Sequence, residues 1–347
     1  MIGPRPPTAG AAARVGERPV APGPSPREPP AHPPPTGPHD RLDWSLDGHD
    51  WPHRGCSHFV SAGGLQWHLQ DFPGPVGADP GAPVLLLHGT GSATHSWRTL
   101  APLLAQTRRV LAPDLPGHGF TDPLGDGPVS PQAMARAVGT LIEALQVQPW
   151  RVIGHSAGAA IAVRMALDGL LDADATPGGI VSLNGALVPL TGFAWTWFSP
   201  AARLLASSSL PPRLMAWRAR DPAVVHRLLD GTGSVADDVG RRLYTRLVRS
   251  PGHVTGALRM MAGWDLDALR RDLPRLHRPA AGTPRRPPAL HLVVGDRDRL
   301  VPPAVTRQVR TLVPSATLQV LPGLGHLAHE EAAATVAGAI AALPGAR

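Results

Sequence analysis

Short apolar runs alternate with amphipathic stretches along most of this chain. Residues 58–60 and 65–72 flank an Ala62-Gly63-Gly64 turn and are predicted to form a β-hairpin. Residues 83–87 are apolar throughout, as a strand buried on both faces requires. Further strands are predicted over 109–112, 151–154 and 180–183. Helices are predicted over 96–106, from Ser130 to about Gln146, and over 157–167. Ser130 is a suitable N-cap, and Pro131 suits the first helical position. Regular alternation then stops, and residues 186–280 carry helical periodicity with little strand character. It resumes with strand 289–294, helix 303–312, strand 317–321 and helix 330–342. This pattern predicts the α/β class: a mostly parallel sheet, helices on both faces, and a helical cap inserted before the penultimate strand.

Of the 347 residues, 1–42 are rich in Pro, Ala, Gly and Arg and nearly devoid of large apolar side chains. Such a segment buries too little surface to offset chain entropy and is predicted to be disordered. The expected organisation is a leader over 1–42, a first core part over 43–185, a cap over 186–285 and a second core part over 286–347. The N-terminus offers no apolar stretch of a secretory signal. No apolar run approaches the roughly 20 residues of a spanning helix. A cytoplasmic protein, at most peripheral to a membrane, is therefore expected. The single Cys56 excludes an internal disulfide.

The sharpest chemical signal is Gly154-His155-Ser156-Ala157-Gly158, at the junction of a predicted strand and helix. A serine there sits on a tight elbow with its hydroxyl raised above the sheet, and the flanking glycines let strand and helix approach closely. Serine needs a base, and the base needs an orienting acid. This resembles the nucleophile elbow of the α/β-hydrolase fold, which implies that acid and then histidine follow the serine along the chain. Asp298, in Gly295-Asp296-Arg297-Asp298-Arg299-Leu300-Val301-Pro302, is the candidate acid, with Asp296 its competitor. His326, after Gly323-Leu324-Gly325, is the candidate base, with His329 the alternative. Asn184 ends the strand before the cap, where some hydrolases place their acid; an amide there favours Asp298. The backbone N–H groups of Thr90, in His88-Gly89-Thr90-Gly91, and of Ala157 are the expected oxyanion donors. The Thr90 hydroxyl is a candidate third donor. Asp114-Leu115-Pro116-Gly117-His118-Gly119 reads as a structural turn beside the site.

Charge alters the picture in one region. The formal net charge is +7, and residues 201–290 hold 16 Arg against 7 Asp and no Glu. A focused positive field suits anionic ligands, although solvated helix faces explain the same pattern. Trp195, Trp197, Trp217 and Trp264 lie in the cap as candidate substrate contacts, or as ordinary core. Flat apolar ligands bearing carboxylates suit aromatic rings combined with guanidinium groups. No metal-ligand spacing, phosphate loop or nucleic-acid module is present in the sequence, and the expected chemistry needs no cofactor.

From about Trp51 onward the chain resembles the α/β-hydrolase superfamily, and within it the BchO-type magnesium-chelatase accessory proteins of phototrophic bacteria. The matching stretches include Asp50-Trp51-Pro52-His53-Arg54, Gly63-Gly64-Leu65-Gln66-Trp67-His68, Thr94-His95-Ser96-Trp97 and Leu183-Asn184-Gly185-Ala186. Two lie in the cap, Leu247-Val248-Arg249-Ser250-Pro251-Gly252-His253-Val254 and Met260-Met261-Ala262-Gly263-Trp264-Asp265-Leu266. Cap matches are the more specific, because caps differ widely between hydrolase branches. The resemblance implies a role in bacteriochlorophyll biosynthesis near magnesium insertion into protoporphyrin, with a tetrapyrrole as ligand and magnesium chelatase as partner. Three readings stand side by side: a serine hydrolase acting on ester-type bonds, a non-catalytic porphyrin- or chelatase-binding protein, and a generic esterase or haloperoxidase-like enzyme of another pathway.

Overall fold

The computed structural model describes residues 1–3, 40–189, 210–278 and 286–344. The chain divides into Met1–Pro35, described only at its first three residues, and a compact unit Thr36–Arg347 that holds every element below. An eight-stranded sheet runs in the order β1-β2-β4-β3-β5-β6-β7-β8. β1 (Ser57–Ala62) and β2 (Leu65–Phe72) form the predicted hairpin, and β2 pairs antiparallel with β4 (Val110–Pro113). The pairings from β4 through β3 (Val84–Leu87), β5 (Arg151–His155), β6 (Ile180–Leu183), β7 (Leu290–Gly295) and β8 (Thr317–Leu321) are all parallel. The strand order reverses at β3 and β5. Connections leaving these neighbours therefore part in opposite directions and open a crevice above their carboxyl ends, where ligands bind in open α/β sheets.

The helices are α1 (Trp44–Asp47), α2 (Leu100–Ala105), α3 (Pro131–Ala144), α4 (Ala157–Leu167), then the cap helices α5 (Leu210–Arg218), α6 (Pro222–Asp230), α7 (Asp238–Val248), α8 (Pro251–Gly263) and α9 (Leu266–Asp272), and finally α10 (Pro303–Leu312), α11 (Ala328–Glu331) and α12 (Ala333–Ala341). Ser130 caps α3 as expected, its side chain accepting the Ala133 N–H. Four cap helices carry caps of the same kind: Asp221 for α6, Asp237 for α7, Ser250 for α8 and Asp265 for α9. Each satisfies an otherwise orphaned N–H, so these short helices are defined locally.

Successive residues of β3 face opposite layers. Leu85 and Leu87 join Val138 and Leu141 of α3 and Ile161 and Met165 of α4 on one face. Val84 and Leu86 join Leu100 and Leu104 of α2 and Val336 and Ile340 of α12 on the other. A third cluster packs Val225, Leu229, Leu243 and Leu247 of the cap on Trp51, Phe120 and Leu327 of the core.

Three expectations change. The predicted helix over 96–106 is a 3-10 turn, Thr94–Trp97, followed by the shorter α2. The last helix is broken at Ala332, which takes an extended φ of −143°, so His329 lies in α11. Most of the predicted disordered leader lies outside the described residues, but its last residues are engaged. The Asp40 carbonyl accepts the Gly252 N–H and the Ser250 hydroxyl (3.0 Å) of the cap, and Arg41 pairs with Asp122 (2.7 Å). Order therefore begins before residue 43, because polar partners hold Asp40 and Arg41 and Leu42 packs against the third apolar cluster.

Candidate active site

Ser156 sits between β5 and α4 with φ 52° and ψ −115°, the left-handed backbone of an elbow. The close approach is built from glycine. A Cβ on Gly158 would lie 2.0 Å from the Leu87 carbonyl oxygen, and one on Gly154 would lie 2.4 Å from Gly158 backbone atoms. Neither position tolerates a side chain. The Ser156 N–H donates to the Leu183 carbonyl (3.1 Å), and its own carbonyl accepts the N–H groups of Ala159 (3.2 Å) and Ala186 (3.1 Å). The elbow is thus pinned to β6 and to the entrance of the cap.

Asp298 and His326, 28 residues apart in the chain, meet through a 2.8 Å contact between Nδ1 of the imidazole and Oδ2 of the carboxylate. Both are buried. The other carboxylate oxygen accepts the N–H groups of Leu300 and Val301, each at 2.8 Å. Asn184, with φ 50° at the end of β6, donates from Nδ2 to Asp298 Oδ2 (2.7 Å) and to the Gly325 carbonyl (3.3 Å). It is therefore a direct orienting partner of the acid. By sequence an amide at that strand end argues only against an acid there; its place before the cap is the signal that it can reach the acid. The competing Asp296 accepts the Gly323 N–H as a turn residue (2.7 Å).

The His326 backbone is tied to the elbow, since His155 Nε2 donates to the His326 carbonyl (2.9 Å) and the two rings lie 4.7 Å apart. Among the described residues, no hydrogen bond joins the Ser156 hydroxyl to His326. His329 turns away to Ser96 (2.7 Å). Burial, helped by the neighbouring His326 and Arg98, lowers its pKa from 6.5 to about 3. Burial first, then His329 and His326, holds His155 well below the ordinary imidazole range. Neutral rings thus surround the one elbow-side histidine that has a carboxylate partner.

The turn Gly89–Ser92 faces the elbow, and a Cβ on Gly89 would stand 3.1 Å from that of Ser156. The Ser92 N–H closes it onto the Gly89 carbonyl (3.2 Å), with Gly91 third at φ 74°, the position that demands glycine. His88 accepts the Leu115 N–H at Nε2 (2.8 Å), so its proton sits on Nδ1 and goes to the Gly89 carbonyl (2.8 Å). The Thr90 hydroxyl donates to Met260 sulfur (3.4 Å) instead of adding a third donor. The backbone N–H groups of Thr90 and Ala157 donate to no protein acceptor among the described residues.

The Asp114 loop is structural. Its carboxylate accepts the N–H groups of Thr94 (2.6 Å) and Phe120 (3.0 Å) and meets His68 Nδ1 (2.7 Å). Burial alone would raise its pKa, but His68, His88 and the Phe120 N–H outweigh it and hold the carboxyl well below its ordinary range. Of the cap tryptophans, Trp264 is buried within the main core cluster, Trp217 is 61% exposed, and Trp195 and Trp197 lie outside the described residues. Much of the cap's positive charge is engaged: Arg246 forks onto Asp50, Arg241 meets Asp230, and Arg249 and Arg259 serve backbone carbonyls. Among the described residues, no His, Cys, Asp and Glu group is arranged to hold a metal ion, and no helix is long and apolar enough to cross a membrane.

A family model described as the alpha/beta hydrolase fold matches residues 82–333. This chain belongs to the α/β-hydrolase-fold family. It is also 38% identical over 292 residues to the magnesium-chelatase 30 kDa subunit of Rhodobacter capsulatus, a match spanning 84% of this chain and 95% of that protein. Within the family it therefore belongs to the branch of that subunit. Among solved structures, an α/β-hydrolase-fold protein from Burkholderia ambifaria superposes with a TM-score of 0.64 at 22% identity, covering 87% of this chain and 98% of the other. A meta-cleavage product hydrolase from Pseudomonas fluorescens superposes with a TM-score of 0.57 at 21% identity, covering 82% and 95%. These two show the fold.

Proposed function

We propose that this α/β-hydrolase-fold protein is a serine hydrolase acting on an ester-type bond in bacteriochlorophyll biosynthesis, accessory to magnesium insertion into protoporphyrin. The observation that carries the chemistry is the 2.8 Å His326–Asp298 contact beside a serine held on a left-handed elbow. Ser156 Oγ attacks the carbonyl carbon while His326 Nε2 takes its proton. Asp298 holds the imidazole through Nδ1, and Asn184 holds Asp298. The Thr90 and Ala157 N–H groups receive the developing oxyanion. The tetrahedral intermediate collapses, His326 returns the proton to the leaving alcohol, and water then releases the acyl group by the same path.

The pathway assignment rests on the 38% identical relative, named as a chelatase subunit. That name also favours a second reading, in which the protein binds the chelatase or a porphyrin without turnover. Trp217 and Trp264, with cap arginines such as Arg218 and Arg227 that meet no acid among the described residues, are its proposed ligand contacts; Trp195 and Trp197 complete the set. The protein is read as cytoplasmic or peripheral to a membrane.

The deciding experiment is Ser156→Ala. It is expected to abolish labelling by a fluorophosphonate probe and to fail to restore pigment in a deletion strain. Full restoration of pigment by the unlabelled variant would replace catalysis with binding. Protoporphyrin affinity that does not weaken with added salt would remove the arginines from the binding reading.

A further inference from the structure

The Thr90 N–H is useful only if the turn that carries it is held still. From the core side, His88 holds the Gly89 carbonyl. From the other side, cap helix α8 holds Thr90 and Gly91, while Tyr244 of α7 meets the Ser92 hydroxyl (3.2 Å) at the end of the turn. His253 Nδ1 accepts the Gly119 N–H (3.0 Å), which fixes the ring proton on Nε2. That Nε2–H donates to the Gly91 carbonyl (3.1 Å). Seven residues later, and so on the same side of the helix, Met260 sulfur accepts the Thr90 hydroxyl (3.4 Å). The helix is seated closely: a Cβ on Gly256 would stand 1.9 Å from the Gly117 carbonyl oxygen, so α8 lies directly on the loop that His253 also touches.

We infer that His253 is a positioning residue for the oxyanion turn, and that α8 makes competence of the site depend on how the cap is docked. This rests on the reading of Ser156 as a nucleophile. His253 touches neither substrate nor serine. It bridges Gly119 of the core and Gly91 of the turn, and with Met260 it orients the Thr90–Gly91 segment. Burial pushes its pKa from 6.5 down to about 4, so the ring keeps the neutral tautomer that both bonds need. The same helix begins where Ser250 and Gly252 grip the Asp40 carbonyl. Anything that shifts the cap, whether a ligand beneath it or a protein against it, therefore reaches the Thr90–Gly91 segment through α8.

The test compares the rate of fluorophosphonate labelling at Ser156 in the full-length protein with deuterium uptake at residues 88–92. His253→Leu is expected to slow labelling about 10-fold or more, part of the roughly 10²- to 10³-fold that a lost oxyanion donor costs, and to raise uptake in the turn. His253→Gln supplies one acceptor and one donor and is expected to restore labelling to within about 3-fold. Arg246→Ala weakens an exposed cap contact away from the turn and is expected to leave labelling unchanged, which separates positioning from general loss of cap stability. If His253→Leu does not fold, Met260→Leu keeps the volume, removes the Thr90 acceptor, and is expected to slow labelling about 3-fold. Labelling as fast in His253→Leu as in the unsubstituted protein, or as slow in His253→Gln as in His253→Leu, overturns the inference. Absence of labelling in the unsubstituted protein instead overturns the nucleophile reading. Unchanged uptake at 88–92 in His253→Leu then also overturns the positioning role.

Discussion

Two serine–histidine–aspartate groupings stand among the described residues, and by hydrogen bonds alone the one around His68 is the more complete. In the first, His326 meets Asp298 at 2.8 Å beside the Ser156 elbow. In the second, His68 meets Asp114 at 2.7 Å and Ser57 at 3.0 Å, so all three groups are joined. The surroundings separate them. Ser57 opens β1 with an extended backbone, and its hydroxyl also accepts from Gln70 (3.4 Å). The His68 and Asp114 side chains are wholly enclosed, with Trp44 4.8 Å and Phe59 5.3 Å from the imidazole. Their neighbouring N–H groups are spent on the sheet and on Asp114 itself. Ser156 instead stands at the strand-order reversal, on a strained backbone, facing two N–H groups with no protein acceptor among the described residues. Three residue types in contact make a structural relay. An elbow and unspent donors make a candidate reaction centre.

The largest expected contrast lies between the two serines. Ser156→Ala is expected to lower p-nitrophenyl ester turnover by about 10⁴-fold or more, whereas Ser57→Ala stays within about 2-fold; equal losses would erase the distinction. The two acids should fail differently. Asp298→Asn is expected to cost about 10³- to 10⁴-fold in kcat, as for an orienting acid, with little change in melting temperature. Asp114→Asn is expected to cost about 3 kcal/mol of stability by breaking a buried pair, seen as a melting point lower by roughly 6 °C or more, with near-normal turnover by the folded fraction. Asn184→Asp places a second carboxylate against Asp298. The acid limb of the pH–rate profile is expected to move upward and kcat to drop about 10-fold, because one of two adjacent carboxyls then retains its proton. An unmoved profile would detach Asn184 from the acid.

A further contrast concerns pH. His253 and His329 have folded pKa values of about 4 and about 3, against an ordinary 6.5. Below pH 6.5 the unfolded chain takes up protons that the folded protein refuses, so stability falls as pH falls. Each group contributes about 1.4 kcal/mol per pH unit until its folded value is reached. Asp114, with its depressed pKa, adds to the loss below its ordinary 3.8. Thermal melts between pH 7 and pH 4 are expected to show this decline, with a shallower slope in His253→Gln.

Much of this was legible in the residues. The bounds of α4 and β6 match the expected 157–167 and 180–183 because their patterns end at unambiguous signals, the elbow serine and the Asn184–Gly185 turn. Asp298 was separable from Asp296 by its spacing to Val301 and Pro302, and the structure joins it to His326. The leader boundary and the broken last helix were not legible, because Asp40 is held by partners in the cap and Ala332 has no local breaker signal.

Local chemistry determined the strands, the capped helices, the elbow and the residue types of the site, because periodicity, capping and turn preferences act over a few neighbouring positions. Only the tertiary structure decided that Asn184 donates to Asp298, that His253 and Met260 of the cap hold the turn at Thr90, and that His68 and Asp114 are enclosed. Those facts depend on contacts between residues tens to hundreds of positions apart. Which hydrogen-bonded string keeps open backbone donors is set by how sheet, loops and cap close around it, and no run of sequence carries that information.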